Sequence, residues 1–395
     1  MSRRACAPSS DDLTFFFDEW HAPLAEAART LAMAPWPEGE EDPHAVAKQL
    51  AAAGLLRACV PASVGGLAAR DPDAIDVRAV CLVREALGWG SGLLDTTFAM
   101  QGLGSYPIVL AGTAAQREEY LPAVLRGESL AAFAITEPEA GTDVSALSTV
   151  ARRDGDGWVL DGEKTFISNA GVAGHYVVFA NADPSQGRRG ITAFLVRPGD
   201  PGFVFKGAIP MMADHPIGTI GFEACRLGDG RRLGAVGDGF RIAMSTLDAF
   251  RSTVGAAALG MARRALDESL DRVTKRRQFG KAIAEFQTVQ GYLADMATEL
   301  DAARLLVFRA AWAKDRGAPR VTLEASMGKM FATEAAQRVI DRAVQLHGGT
   351  GVVRGVAVER LYREVRALRI YEGTTEIQRL VIAGQLLPKG AKGEA

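Results

Sequence analysis

At 395 residues, 48% of them hydrophobic, the chain is long enough for two or three domains of about 150 residues around a sizeable core. Its 45 Lys and Arg against 47 Asp and Glu leave a net charge of −2, which excludes a globally basic nucleic-acid binder and an acidic disordered tail protein. Cys6, Cys59, Cys81 and Cys225 are scattered without CxxC spacing, so neither a disulfide framework nor structural zinc is expected, and a reducing compartment is.

The opening MSRRACAPSSDDLTFF carries twin arginines, but acidic residues follow where the apolar region of a signal peptide would stand. No run approaches the ~18 apolar residues of a membrane span. A cytoplasmic chain without signal peptide, membrane contact or nucleic-acid partner is the expectation.

In chain order, residues 1–130 predict a helical domain. HAVAKQLAAAGLL and AIDVRAVCLVREALGWG carry apolar residues at spacings of three and four. Pro61, Gly65–Gly66, Pro72 and Pro107 read as breaks between short helices, and Pro122 suits the first turn of another. Residues 131–238 change texture. WVLDGEKTFIS, HYVVFA, ITAFLV and FVFKG are rich in β-branched and aromatic residues and are separated by RDGDG, DPSQGRRG and RPGDPG. They predict a middle antiparallel β-barrel or sandwich. Residues 239–395 return to long helical patterns, which suit a C-terminal four-helix bundle. Helices, strands and helices in blocks give an α+β multidomain chain and argue against a doubly wound sheet.

GxGxxG, GxxxxGK[ST], HExxH and GxSxG are all missing from the sequence. The five histidines lie far apart, so no metal site is expected. Four segments look built for a ligand. FAITEPEAGTD (133–143) offers hydroxyls and turning backbone N–H groups, although on composition alone an ordinary polar turn is the better explanation. KTFISNAGVAGH places Phe166 before a turn at Asn169 and Gly171, as a plain barrel strand also would. KRRQFGKAIAEFQTVQ concentrates Lys275, Arg276 and Arg277 ahead of Phe279–Gly280, Gln287 and Gln290. Such arginines suit phosphate, and equally a solvated helix end. In QLHGGTGVVRGVAVERLYREVRALRIYEGTTEIQ, glycines allow close backbone approach, and Glu372 stands before a helix start. Thr375 and Gln378 fit a capping box there, which would leave Glu372 a surface residue.

Together TEPEAGTD, RRQFG and YEGTTEIQ, in this order and spacing, resemble the acyl-CoA dehydrogenase flavoproteins over about residues 45–388. The resemblance implies FAD as cofactor and a homo-oligomer, a tetramer or otherwise a dimer. It places Phe133, Ile135, Thr136 and Thr142, with Phe166 and Ser168, against the flavin. Arg276, Gln278, Phe279 and Gln287 would reach the nucleotide of a neighbouring subunit, as would Gln345, Gly348 and Gly349, and then Thr374 and Glu376. Glu372 matches the catalytic base of YEGT. A weakly acidic Cα–H needs a carboxylate while flavin N5 accepts the β-hydride, and burial would raise that carboxylate's pKa toward neutrality. Some members carry the base immediately before the Arg of LDxxR, but LDAFR has Phe250 in that slot, which cannot act as one. Thr142, Asp248, Arg251, Tyr371 and Gly373 match substrate-side positions.

The implied reaction is α,β-dehydrogenation of an acyl-CoA to the 2-enoyl-CoA, with electron-transfer flavoprotein as acceptor. Departures at the N-terminus, at MMADHPIGTIGFEACRLGDG and at Gly384 leave room for a carrier-protein acyl thioester. An oxygen-using oxidase or monooxygenase on the same fold is a further alternative, and a non-catalytic binding subunit is the most distant.

Overall fold

A computed structural model describes residues 8, 10–34, 42–67, 69–213 and 215–388. Cys6 lies outside the described residues, while Cys59, Cys81 and Cys225 are buried thiols. Ten helices and ten strands follow in blocks among the described residues. The N-terminal helices are α1 (His21–Ala32), α2 (Pro43–Ala52), α3 (Val77–Gly90), α4 (Gly92–Ala111) and α5 (Ala114–Leu125). The strands of the middle part are β1 (Ala131–Ala134), β2 (Val150–Asp154), β3 (Gly157–Ser168), β4 (His175–Asn181), β5 (Ile191–Val196), β6 (Phe203–Ala208), β7 (Ile217–Gly228) and β8 (Arg232–Leu233). Then come α6 (Gly239–Lys275), a hairpin of β9 (Arg277–Gln278) and β10 (Lys281–Ala282), and α7 (Gln287–Asp315), α8 (Thr322–His347), α9 (Ala357–Val365) and α10 (Thr375–Leu386). No helix among the described residues is long and apolar enough to cross a membrane.

The chain forms two compact units. The first comprises Met1–Glu40, Val77–Asp95 and Arg251–Ala395, and the second Glu41–Asp76 and Thr96–Phe250. In the first unit, α3 packs on α1 and α7, and α8 on α7, α9 and α10. Helix α3 is buried nearly all round, so its charged side chains need partners inside the protein. Asp315, at the end of α7, supplies some of them. Its carboxylate accepts from the first-turn N–H groups of Val77 (2.8 Å) and Arg78 (3.0 Å) and from Arg78 Nε (2.9 Å), so it caps α3 and neutralises an arginine together. Glu85 is met by Arg304 at 2.8 Å.

The second unit is built on one eight-stranded sheet in the order β6-β7-β3-β2-β4-β5-β8, with β1 beside β4. It is antiparallel except where β4 pairs parallel to β1 and bridges β2. Trp158, Tyr176, Phe194 and Phe222 anchor its core, with Trp158 and Phe194 edge to face at 5.2 Å.

The two prolines expected to punctuate helices lie inside them. Pro107 is within α4, and Pro122 sits near the end of α5 rather than in its first turn. A proline forfeits one ladder bond, and burial of Phe98, Leu103 and Ile108 along α4 outweighs that loss. Helix α5 starts instead at a Thr113–Gln116 capping box.

Candidate active site

In the second unit, TEPEAGTD follows β1 and is tied down by Glu137. This carboxylate accepts from Ser148 N (2.6 Å), Ser148 Oγ (2.7 Å), Thr149 N (3.0 Å) and Lys164 Nζ (2.7 Å). Glu137 and Lys164 are both buried. Burial alone would raise the Glu137 pKa, but Lys164 and these donors pull it down to about 2. Burial lowers Lys164 to about 8 against the opposing pull of Glu137. Lys164 Nζ also donates to the Ile135 carbonyl at 3.2 Å, and the Thr136 carbonyl accepts from Thr165 N at 3.0 Å. The loop is therefore latched to β3, with Ile135 and Thr136 half-buried and Thr142 exposed. Phe133 is buried on β1, its ring 4.9 Å from that of Phe179.

Strand β3 slips register against β7 between Lys164 and Ile167. At this bulge Phe166 takes φ 54° and stands 56% exposed. An aromatic held outward in the left-handed region is costly on both counts. Ser168 follows at half-burial, its Oγ 3.4 Å from His215 Nε2, and burial keeps His215 below its ordinary pKa. Asn169 (φ 63°) and Gly171 (φ 84°) make the expected turn. Asp248 is exposed on α6, and Phe250 is buried with its ring 5.8 Å from Tyr106.

In the first unit, the YEGT turn precedes α10. Glu372 (φ 53°) and Gly373 (φ 93°) are consecutive left-handed residues. A φ of 93° would strain any side chain at position 373, and a Cβ there would lie 2.5 Å from Gln378 Nε2, which would have to shift. The capping-box reading of Thr375 and Gln378 is corrected by one residue. Thr374 is the N-cap, accepting from Ile377 N at 3.3 Å, while Thr375 Oγ1 donates to Glu334 at 2.7 Å. Gln378 is wholly buried and donates to the carbonyls of Gly373 (3.0 Å) and Glu372 (3.3 Å), and its own oxygen accepts from Arg251 Nη1 at 2.9 Å.

Glu372 Oε2 is out of solvent and has no hydrogen-bond partner. Burial lifts the carboxyl to about 7, opposed by the charges of Arg84, Lys329 and Arg251 and aided by Asp95. Arg84 is itself buried and clamped by Asp95 (2.8 and 2.7 Å), with a third bond to Thr253 Oγ1 at 3.0 Å. Burial works against its charge, but Asp95 more than offsets this. Burial also raises the neighbouring Tyr371 hydroxyl's pKa, against the pull of Arg84. A desolvated carboxylate poised near neutrality can take a proton from a weak carbon acid, and is not the surface residue that the capping alternative required.

Sequence reasoning singled out Glu372, Tyr371, Gly373 and Arg251 but missed Arg84, Asp95 and Lys329. A lone Arg–Glu pair inside the apolar string AVCLVREALGWG was the available signal. The nucleotide candidates of this unit are outward-facing. Arg276, Gln278, Gln287, Gln345, Gly348, Gly349 and Glu376 are exposed, while Thr374 is half-buried. Phe279 crowns the β9–β10 hairpin at 93% exposure. Phe279 (φ 51°) and Gly280 (φ 80°) form that two-residue turn.

A helix–sheet–helix chain carries this desolvated carboxyl of raised pKa. The protein-family models identify it further. Residues 16–128, 132–225 and 237–387 match the N-terminal, middle and C-terminal domains of acyl-CoA dehydrogenase. The chain is 39% identical over 382 residues to a 3-(aryl)acrylate reductase of Clostridium sporogenes, covering 94% of this chain and 100% of that one. It is 38% identical to the caffeyl-CoA reductase-Etf complex subunit CarC of Acetobacterium woodii, covering 89% and 92%. Butyryl-CoA dehydrogenase from Megasphaera elsdenii superposes with a TM-score of 0.86 at 34% identity, covering 94% of this chain and 99% of that one. The chain belongs to the acyl-CoA dehydrogenase family, and is a flavin-dependent oxidoreductase.

Proposed function

We propose that the chain dehydrogenates an acyl-CoA thioester at its α,β bond to give the 2-enoyl-CoA, with Glu372 as the base. The observation that carries this reading is the buried, unpartnered Glu372 Oε2 with a pKa near 7. An ionised Glu372 accepts the α-proton, and the cations of Arg84, Lys329 and Arg251 limit how far burial raises its pKa. Tyr371, Gly373, Arg251, Asp248 and Thr142 are the proposed substrate-side residues.

The donor set suits FAD. The exposed Phe166 ring offers a face to a flat ring system, and Thr136, Thr142 and Ser168 offer hydroxyls. Phe133, Ile135, Thr136, Thr142, Phe166 and Ser168 would hold the flavin. Arg276, Gln278, Phe279 and Gln287 would reach the nucleotide of a neighbouring subunit, with Gln345, Gly348, Gly349, Thr374 and Glu376. When bound, FAD supplies the acceptor for the β-hydride. A homotetramer and an electron-transfer flavoprotein acceptor complete the reading, the latter supported by the Etf complex named for the Acetobacterium relative.

Anaerobic flavin bleaching by a panel of straight, branched, cyclic and 3-arylpropionyl-CoA thioesters tests this. The aryl members are included because two relatives are named for arylacrylate and caffeyl-CoA reduction. Glu372→Gln is expected to keep its flavin absorbance and lose bleaching by every substrate. Retained bleaching in that variant would move the base elsewhere.

A further inference from the structure

We infer that Lys329 is the positioning residue that holds the Glu372 turn ready for proton abstraction, an assignment that rests on Glu372 being the base. Lys329 lies in α8 with no exposed surface, and its Nζ donates to the Gly373 carbonyl at 2.7 Å. That carbonyl follows two left-handed residues, a conformation in which glutamate is uncommon and which surrounding bonds must impose. Gln378 holds the same carbonyl from the other element, α10, and is itself held by Arg251. A buried ammonium is expensive, and here it is committed to the backbone carbonyl of the residue after Glu372. Replacing Lys329 leaves the Gly373 carbonyl, among the described residues, to Gln378 alone, and lets the turn relax toward ordinary backbone angles.

Charge gives Lys329 a second action through the same geometry. Glu372 is faced by Lys329, Arg84 and Arg251 and, with opposite effect, by Asp95. Lys329 is faced by Glu372, Arg251, Glu334 and Glu376, and burial lowers it to about 8. Removing the ammonium therefore raises the Glu372 pKa, shrinking the ionised fraction at neutral pH.

Holoenzyme forms of Lys329→Met, Lys329→Arg and Glu372→Gln are compared with wild type. The readouts are kcat and KM against pH, and the infrared carboxyl band that Glu372→Gln abolishes, titrated without substrate from about pH 5 to 9. Lys329→Met should lower kcat about 10- to 100-fold with KM within about twofold, as a misplaced reacting group does. Its acid limb and its infrared midpoint should both move to higher pH. Lys329→Arg should restore the midpoint while kcat stays below wild type, because charge returns but the reach to Gly373 changes. Wild-type kcat and midpoint in Lys329→Met overturn the inference. Should that variant not fold, Lys329→Arg decides, and an unchanged kcat there overturns it. Bleaching retained by Glu372→Gln sinks the base assignment itself. An inactive Glu372→Gln beside an unaltered Lys329→Met sinks only the role of Lys329.

Discussion

A carboxyl group whose pKa is raised by burial destabilises the fold once it ionises, and Glu372 is such a group. Its folded pKa, about 7, lies above the ordinary carboxylate value, so the native state binds more protons than the unfolded chain between about pH 4.5 and 7. Stability from this group is fully present below that window and is lost as pH rises through it. Glu372→Gln removes the ionisation. The variant should therefore melt above wild type at pH 8, with the gap closing toward pH 5, in calorimetric scans at both values. A variant that melts lower at pH 8 would contradict the buried-charge account. The candidate base was legible because YEGT is a contiguous string. Lys329 and Asp95 were not, because each is 43 or more positions from Glu372 in sequence and only folding makes them neighbours.

At the scale of elements, β3 carries the latch of the second unit. Lys164 and Glu137 form a buried ion pair at 2.7 Å, and removing one partner strands the other's charge. Breaking such a pair costs about 3–5 kcal/mol. Lys164→Met should accordingly lower the melting temperature, and the double variant Lys164→Met with Glu137→Gln should recover part of the loss. A double variant whose loss equals the sum of the two single losses would show that the pair is not coupled. The strands around this latch were readable from their β-branched and aromatic runs. Their bulge at Phe166 was not, since register depends on the partner strand β7. Pro107 misled for a related reason, as the burial that keeps α4 continuous comes from elsewhere in the fold.

On the scale of the whole molecule, the blocks of helix, sheet and helix were visible in composition alone, because each spans a hundred residues or more of one texture. Under the proposed reading, the outward-facing nucleotide candidates serve a neighbouring subunit. Phe279, at 93% exposure, contributes almost nothing to the packing of its own chain. Phe279→Asp should leave the far-ultraviolet circular dichroism unchanged while lowering both the oligomer mass by light scattering and the flavin-to-protein ratio. A variant that keeps full mass and flavin would detach this hairpin from the assembly.

The fit of Gly373 against Gln378 has an evolutionary side. A left-handed turn whose glycine lies against a buried glutamine, and whose carbonyl a buried lysine holds, tolerates few substitutions. Under the proposed reading, a change of acyl preference meets less resistance at Asp248 and Thr142, which are exposed.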